Sequence, residues 1–390
     1  MKFFTYILAL PLALAAPVLE PRDKDSVIPE RWIAVLNSNV RSAGLQSVLT
    51  RVASHLEGSE PDTVWDFDGF RGFAFGAKNS LVDALSTAIS ELSFIEPDTM
   101  VRTQEFVTQS NPVYNLARLS HQAADNSSYT YDSSAGEGVV AYGIDTGIYA
   151  QHAEFQGRAV QAKSFIEGQH ADGNGHGTHT AGTIGGATYG VAKKVTLVGV
   201  KVLSDEGSGS TSAIISGIEW AVKDMQRRGK VRKAVANLSL GGPRLSNSNN
   251  AAVKAATDAG LFVAVAAGNS AMPAEFFTPA SEPSACTVAA SDGKDKYASF
   301  TNYGPSVDIV APGVNVKSAY IGDPHKTAVL SGTSMAAPHI AGLGAYLLAL
   351  EGEASPKDLC DRIRSLATKD QVSGLKGLVT TKSLAFNGAN

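Results

Sequence analysis

Val139-Val-Ala-Tyr-Gly-Ile-Asp145-Thr-Gly reads as a short apolar strand that ends in a carboxylate, with glycine to turn the chain just beyond it. Residues 195–202, 234–240 and 261–267 are apolar runs of the same kind, the last one without interruption. Between and after them lie helical patterns at residues 212–227, 249–259 and 334–350, the first amphipathic and the last apolar on every side. Strands that are apolar throughout and alternate with helices predict an α/β domain: a mainly parallel sheet covered by helices on both faces, in three layers. Sites in such sheets lie where strands end at their carboxyl ends and helices begin.

Upstream, the plan changes. Residues 31–36 read as a strand, 43–56 as a helix, 69–75 as a strand pair with a turn, 79–92 as a second helix, and 94–98 as the start of a closing strand. That order, β-α-β-β-α-β, is ferredoxin-like and predicts a small α+β domain with a folded core over about residues 28–102. Residues 103–112 are polar and without periodicity, so an exposed linker is expected there. At the start, Lys2 precedes an apolar run over residues 3–16, with Ala13 and Ala15 spaced as at a cleavage site. This describes a secretory signal peptide over residues 1–16, too short to span a bilayer.

The composition is that of a soluble globular protein, with 44% hydrophobic and 18% charged residues among 390. A net charge of −4 leaves no footprint for nucleic acid or an anionic membrane, and the basic stretch from Arg227 to Lys233 reads as a solvated helix end. In an exported chain the two cysteines, Cys286 and Cys360, are expected to pair, with two buried free thiols as the alternative. They cannot make a zinc site, because no histidine lies near either at ligand spacing.

Three stretches at predicted strand or helix ends carry chemistry. Asp145 closes a strand, His176 stands in Asp172-Gly-Asn-Gly-His176-Gly-Thr-His where a glycine-rich loop enters a helix, and Ser334 opens the apolar helix in Gly332-Thr-Ser-Met-Ala-Ala-Pro. A serine hydroxyl becomes a useful nucleophile when a base takes its proton, and a buried carboxylate fixes the tautomer of an imidazole that does so. A helix-initial serine also offers its own N–H to a developing oxyanion, and Asn269 is placed to supply a second donor. The order Asp, His, Ser excludes an α/β-hydrolase and the chymotrypsin arrangement. His179 lacks the glutamate of a His-Glu-x-x-His zinc helix and reads as a packing residue.

Taken together, Tyr142-Gly-Ile-Asp-Thr-Gly, Gly175-His-Gly-Thr-His-Thr-Ala-Gly, Ala266-Ala-Gly-Asn and Gly332-Thr-Ser-Met-Ala-Ala-Pro resemble the subtilisin-like serine proteases, in their proteinase K branch. The resemblance implies a subtilisin-like peptidase domain over residues 107–390 and an inhibitory propeptide over residues 17–106, cut near Phe106 by the enzyme itself. It implies a triad of Asp145, His176 and Ser334 with Asn269 as oxyanion residue. Gly207, Ser208 and Gly209 match one edge of a peptide-binding cleft, Ser239, Leu240 and Gly241 the other, and Ala266, Ala267 and Gly268 a wall of the S1 pocket. Such a wall of small residues leaves room for large hydrophobic or aromatic P1 side chains.

The same resemblance implies a structural calcium ion held by Pro283, Ala285 and Asp308, and no cofactor for catalysis. The family's weaker second calcium site is doubtful, because Gln122 and Gln371 or Asp370 fall where a threonine and an aspartate would be. Cys286 and Cys360 match one of the branch's two disulfides, Val140 and Lys230 stand at the other pair, and Thr180 replaces a free cysteine beside the histidine. Of two Asn-x-Ser sequons, Asn126 lies in a polar loop and is the glycosylation candidate, while Asn237 falls in a strand. The expectation is a secreted, monomeric, self-processing endopeptidase acting on proteins and peptides, with vacuolar retention as the alternative location and a catalytically silent homologue as the alternative role.

Overall fold

The computed structural model describes residues 15–21, 27–56, 60–100, 105–123, 127–243, 247–374 and 380–389. The chain divides into two compact units, residues 1–103 and 104–390.

In the first unit the elements run β1 (Val27–Leu36), α1 (Ser42–His55), β2 (Thr63–Phe67), β3 (Phe70–Gly76), α2 (Asn79–Ala88) and β4 (Leu92–Thr99). The sheet order is β2-β3-β1-β4 with antiparallel neighbours, which is the expected ferredoxin-like plan. Alternation does the sorting: Trp32, Ala34 and Leu36 of β1 face inward and meet Leu45, Val48 and Val52 of α1. Residues 69–75 were expected to hold both strands of a hairpin, but they form β3 alone, and β2 lies upstream across a turn at Asp68 and Gly69. Gly72 is mid-strand, and a Cβ there would stand 2.7 Å from the Ala34 carbonyl. Likewise α2 stops at Ala88, since Leu92 already pairs with Leu36.

The second unit opens with β5 (Phe106–Ser110), α3 (Tyr114–Leu119) and β6 (Ser128–Asp132). Here the expected linker over residues 103–112 is corrected, because β5 pairs antiparallel with β6 from Phe106 to Ser110. Then come β7 (Val140–Asp145), β8 (Ala159–Ser164), α4 (His176–Gly185), β9 (Thr196–Lys201), α5 (Thr211–Arg227), β10 (Ala234–Leu238), β11 (Gly242–Pro243) and α6 (Ser248–Asp258). The chain continues through β12 (Phe262–Ala266), β13 (Phe277–Thr278), β14 (Cys286–Ser291), β15 (Ile309–Pro312), β16 (Val316–Ala319), β17 (Thr327–Leu330), α7 (Thr333–Glu351) and α8 (Pro356–Leu366).

Seven strands form one parallel sheet in the order β15-β14-β12-β10-β7-β9-β8. Helices α4, α7 and α8 pack on one face and α5 and α6 on the other, each over its own apolar cluster. Period-two alternation divides β10 between them: Val235 joins the α7 side, while Ala234, Ala236 and Leu238 join the α5 side. Helix α7 is long and apolar enough to cross a membrane by length and composition, but it is the buried central helix, touching β10, β12, β14 and β15. Its apolar circumference follows from burial on all sides. Ser210 caps α5 by accepting from the Ala213 N–H at 3.1 Å. Cys286 and Cys360 form a disulfide that ties β14 to α8 across 74 residues.

Candidate active site

Asp145, His176 and Ser334 reach one place because β7, α4 and α7 all end or begin at the carboxyl edge of the sheet. Asp145 is fully buried, accepts from the Thr146 N–H at 2.7 Å, and accepts from His176 Nδ1 at 2.8 and 3.0 Å. With Nδ1 donating, Nε2 is the ring's basic nitrogen. Burial opposes charge on His176, yet the Asp145 carboxylate, helped by Asp172, outweighs it and lifts the imidazole above its ordinary value. Gly177 follows His176 for want of space: a Cβ there would stand 2.1 Å from the Gly147 carbonyl, next to Asp145.

Ser334 is the second residue of α7, and its hydroxyl donates to the Ser239 carbonyl at 3.2 Å. Asn269 is held by its oxygen, which accepts from the Thr333 N–H at 2.8 Å and the Thr333 hydroxyl at 2.9 Å. That grip turns Nδ2 toward the serine. A Cβ built on Gly332 would lie 3.3 Å from Asn269 Nδ2 and 3.6 Å from the Ser334 nitrogen, so both donors border one small space that glycine keeps open. Preorganised donors around a vacant point are what an oxyanion requires.

A cleft of about 750 Å³ runs over this place. Gly207, Ser208 and Gly209 line one side, Ser239, Leu240 and Gly241 the other, and Ala266, Ala267 and Gly268 join Asn269 in the lining. None of the six side-wall residues belongs to a strand. On one wall Gly207 turns at φ +83 with its N–H on the Ser204 carbonyl, and the Ser208 carbonyl accepts from the Ser204 N–H at 2.7 Å. Gly268 has φ +106, and a Cβ on it would fall 2.3 Å from Asn302 Nδ2. Phe277 and Ala280 also line the cleft.

Sequence reasoning passed over Asp172. It is buried, and its carboxylate accepts five hydrogen bonds: from the Thr146 hydroxyl, the N–H groups of Asn174, Gly175 and Thr178, and the Thr178 hydroxyl, at 2.6 to 3.1 Å. It thus caps α4, where Gly175 has no side chain to do so, and pins the histidine loop to the residue after Asp145. Lys201, fully buried, ties in the cleft wall. Its ammonium donates to the Thr146 carbonyl and to Asp205, both at 2.8 Å, while Asp205 accepts from the Gly173 N–H. The signal available in sequence for Asp172 was its place four residues before a helix-initial histidine.

His179 lies behind the site as expected, Nε2 meeting the Val316 carbonyl at 3.1 Å; burial pulls it down to about 4, so it is neutral. Thr180 sits beside Asp145, its hydroxyl 3.0 Å from the Gly177 carbonyl and 3.5 Å from Asp145 Oδ2. Asp308 accepts from the Thr287 N–H at 2.9 Å, and burial pushes its carboxyl up to about 6. A carboxylate so short of compensation suits a hard cation, and Ala285 and Pro283 lie just ahead of β14, the strand that Asp308 reaches. At the doubtful second site Gln371 donates to Asp295, which pairs with buried Arg118 at 2.9 Å. Asn126 lies outside the described residues, whereas Asn237 is fully buried.

A parallel sheet that gathers aspartate, histidine and serine in that chain order at its carboxyl edge, under an open cleft, defines the subtilisin-like class of serine hydrolases. The subtilase family model matches residues 136–380. The chain is 44% identical to the subtilisin-like serine protease Pen c 1 of Penicillium citrinum, over 99% of each chain. It is 45% identical to a cuticle-degrading protease of Metarhizium anisopliae, over 96% of this chain and 93% of that one. The crystal structure of a cold-adapted subtilisin-like serine proteinase superposes with a TM-score of 0.66 at 40% identity, over 71% of this chain and 99% of the other. The chain belongs to the subtilase family, and it is a serine endopeptidase.

Proposed function

We propose that this chain is a secreted, self-processing endopeptidase in which Ser334 attacks the scissile carbonyl. His176 Nε2 takes the serine proton and returns it to the leaving amine, and the acyl-enzyme is then hydrolysed by water activated by the same nitrogen. Asp145 holds the ring in the required tautomer and stabilises its charged form. The Ser334 N–H and Asn269 Nδ2 take the oxyanion. The observation that carries this reading is the two-point grip of Asp145 on His176 Nδ1, combined with an Asn269 amide whose oxygen is already engaged by Thr333.

The substrate lies as an extended strand between the cleft walls at Gly207–Gly209 and Ser239–Gly241, where pairing with backbone gives affinity without much sequence demand. Small residues at Ala266, Ala267 and Gly268 favour large hydrophobic or aromatic P1 groups. Residues 17–106 act as chaperone and inhibitor and are cut near Phe106, which stands exposed at the start of β5. Calcium, held by Asp308 with the carbonyls of Pro283 and Ala285, would neutralise a buried carboxylate and brace β14. The protein works outside the cell as a monomer. The test is a purified precursor carrying Ser334→Ala. It stays one chain and hydrolyses no casein, whereas the unmodified protein is trimmed near residue 106 and blocked by a sulfonyl fluoride. Trimming or casein hydrolysis by the Ser334→Ala protein overturns the reading.

A further inference from the structure

Asn237-Leu-Ser239 has the pattern of a glycosylation sequon, yet Asn237 is fully buried and Ser239 is 4% exposed, so no glycan can be attached in the folded protein. Its side chains are engaged otherwise. On β10 and its continuation, Val235, Asn237 and Ser239 share the face that meets α7. Within α7 the carbonyl of Ser334 should accept from the N–H four residues on, but that residue is Pro338, which has none. The nucleophile's own carbonyl is therefore left without its helical partner. Ser239 Oγ donates to it at 2.7 Å, and Asn237 Nδ2 donates to Ser239 Oγ at 2.9 Å.

The chemistry of the groups fixes the direction of this chain. Ser239 has one hydroxyl proton, and the Ser334 carbonyl can only accept, so Ser239 must be the acceptor toward Asn237 and the amide must present its NH₂ end. The Asn237 oxygen is left without a partner, so the amide is held by its donor end. We propose that Asn237 and Ser239 are positioning residues for the nucleophile: a relay that replaces the hydrogen bond Pro338 removes and fixes the turn carrying Ser334. The proposal rests on Ser334 being the nucleophile. Substrate pairing uses the Ser239 backbone and is independent of the hydroxyl.

The test is steady-state kinetics on a peptide anilide, with the rate of Ser334 sulfonylation measured alongside. Ser239→Ala is expected to lower kcat and the sulfonylation rate about tenfold, the equivalent of one hydrogen bond, with KM unchanged. Adding Asn237→Ala to Ser239→Ala is expected to cost no further rate. Pro338→Ala restores an N–H at position 338, and in that background Ser239→Ala is expected to cost less than about twofold. If Pro338→Ala does not fold, Ser239→Cys, near in shape but a weak donor, is expected to show the kcat loss at unchanged Tm. Multiplicative losses from Asn237→Ala and Ser239→Ala, a Ser239→Ala loss of the same size with or without Pro338, or a loss confined to KM would overturn the relay. A Ser334→Ala protein that still hydrolyses the anilide would instead sink the assignment of the nucleophile.

Discussion

Replacing Asp172 by Asn removes one charge and almost no volume, so it isolates what that carboxylate does. The acid presents acceptors to five donors at 2.6 to 3.1 Å, three on one oxygen and two on the other. An amide can match only one side. Its least costly orientation keeps the oxygen toward Thr146, Asn174 and Gly175 and turns NH₂ toward Thr178, whose hydroxyl can rotate to accept while its N–H is stranded. One buried N–H without an acceptor costs about 1–3 kcal/mol, and the retained bonds lose their charge assistance, so a total near 3 kcal/mol is reasonable. For a unit of this size that corresponds to a fall in Tm of about 4–8 °C, read by calorimetry in the Ser334→Ala background to prevent self-digestion. The pH profile supplies an independent readout. In the proposed mechanism His176 acts as a base only when neutral, so its elevation is expected to place the acid limb of kcat/KM above the ordinary imidazole range. Asp172 contributes to that elevation, so Asp172→Asn is expected to move the limb to lower pH while maximal kcat falls. An unmoved or upward-shifted limb together with an unchanged Tm would refute the role assigned to Asp172.

Asn269→Leu, which keeps size and removes the donor, is expected to lower kcat about 10²–10³-fold with little change in KM, the cost seen for this donor in subtilisin, a relative. Asp308→Asn is expected to abolish the calcium dependence of stability. If calcium binds there as proposed, a 100-fold excess over its dissociation constant is expected to add about 2.7 kcal/mol to the unmodified protein, and EDTA should leave the variant's Tm where it was. Paired Cys286→Ser and Cys360→Ser changes open a loop of 74 residues and should lower the denaturant midpoint by the equivalent of about 2–4 kcal/mol, an effect that reductant should reproduce in the unmodified protein.

What the sequence yields and what it conceals divide along one physical line. The continuous apolar strands, the helix-initial Ser334 and the order of Asp145, His176 and Ser334 are local or ordinal features, and periodicity or spacing exposes them. Residues 106–110 escaped because they are polar and make a strand only by pairing with residues 128–132. Asp172 escaped because an acidic residue among glycines reads as a loop until its five donors are assembled around it. Pro338 is the sharpest case. Its position four residues after Ser334 announces, from sequence alone, that the Ser334 carbonyl loses its helical partner. The group that takes over comes from Ser239, 95 residues away, inside a tripeptide that reads as a signal for glycan attachment. A local rule can therefore identify a defect in a helix, but the compensation comes from tertiary structure. The residue that compensates is a functional candidate because the defect lies under Ser334, the proposed nucleophile.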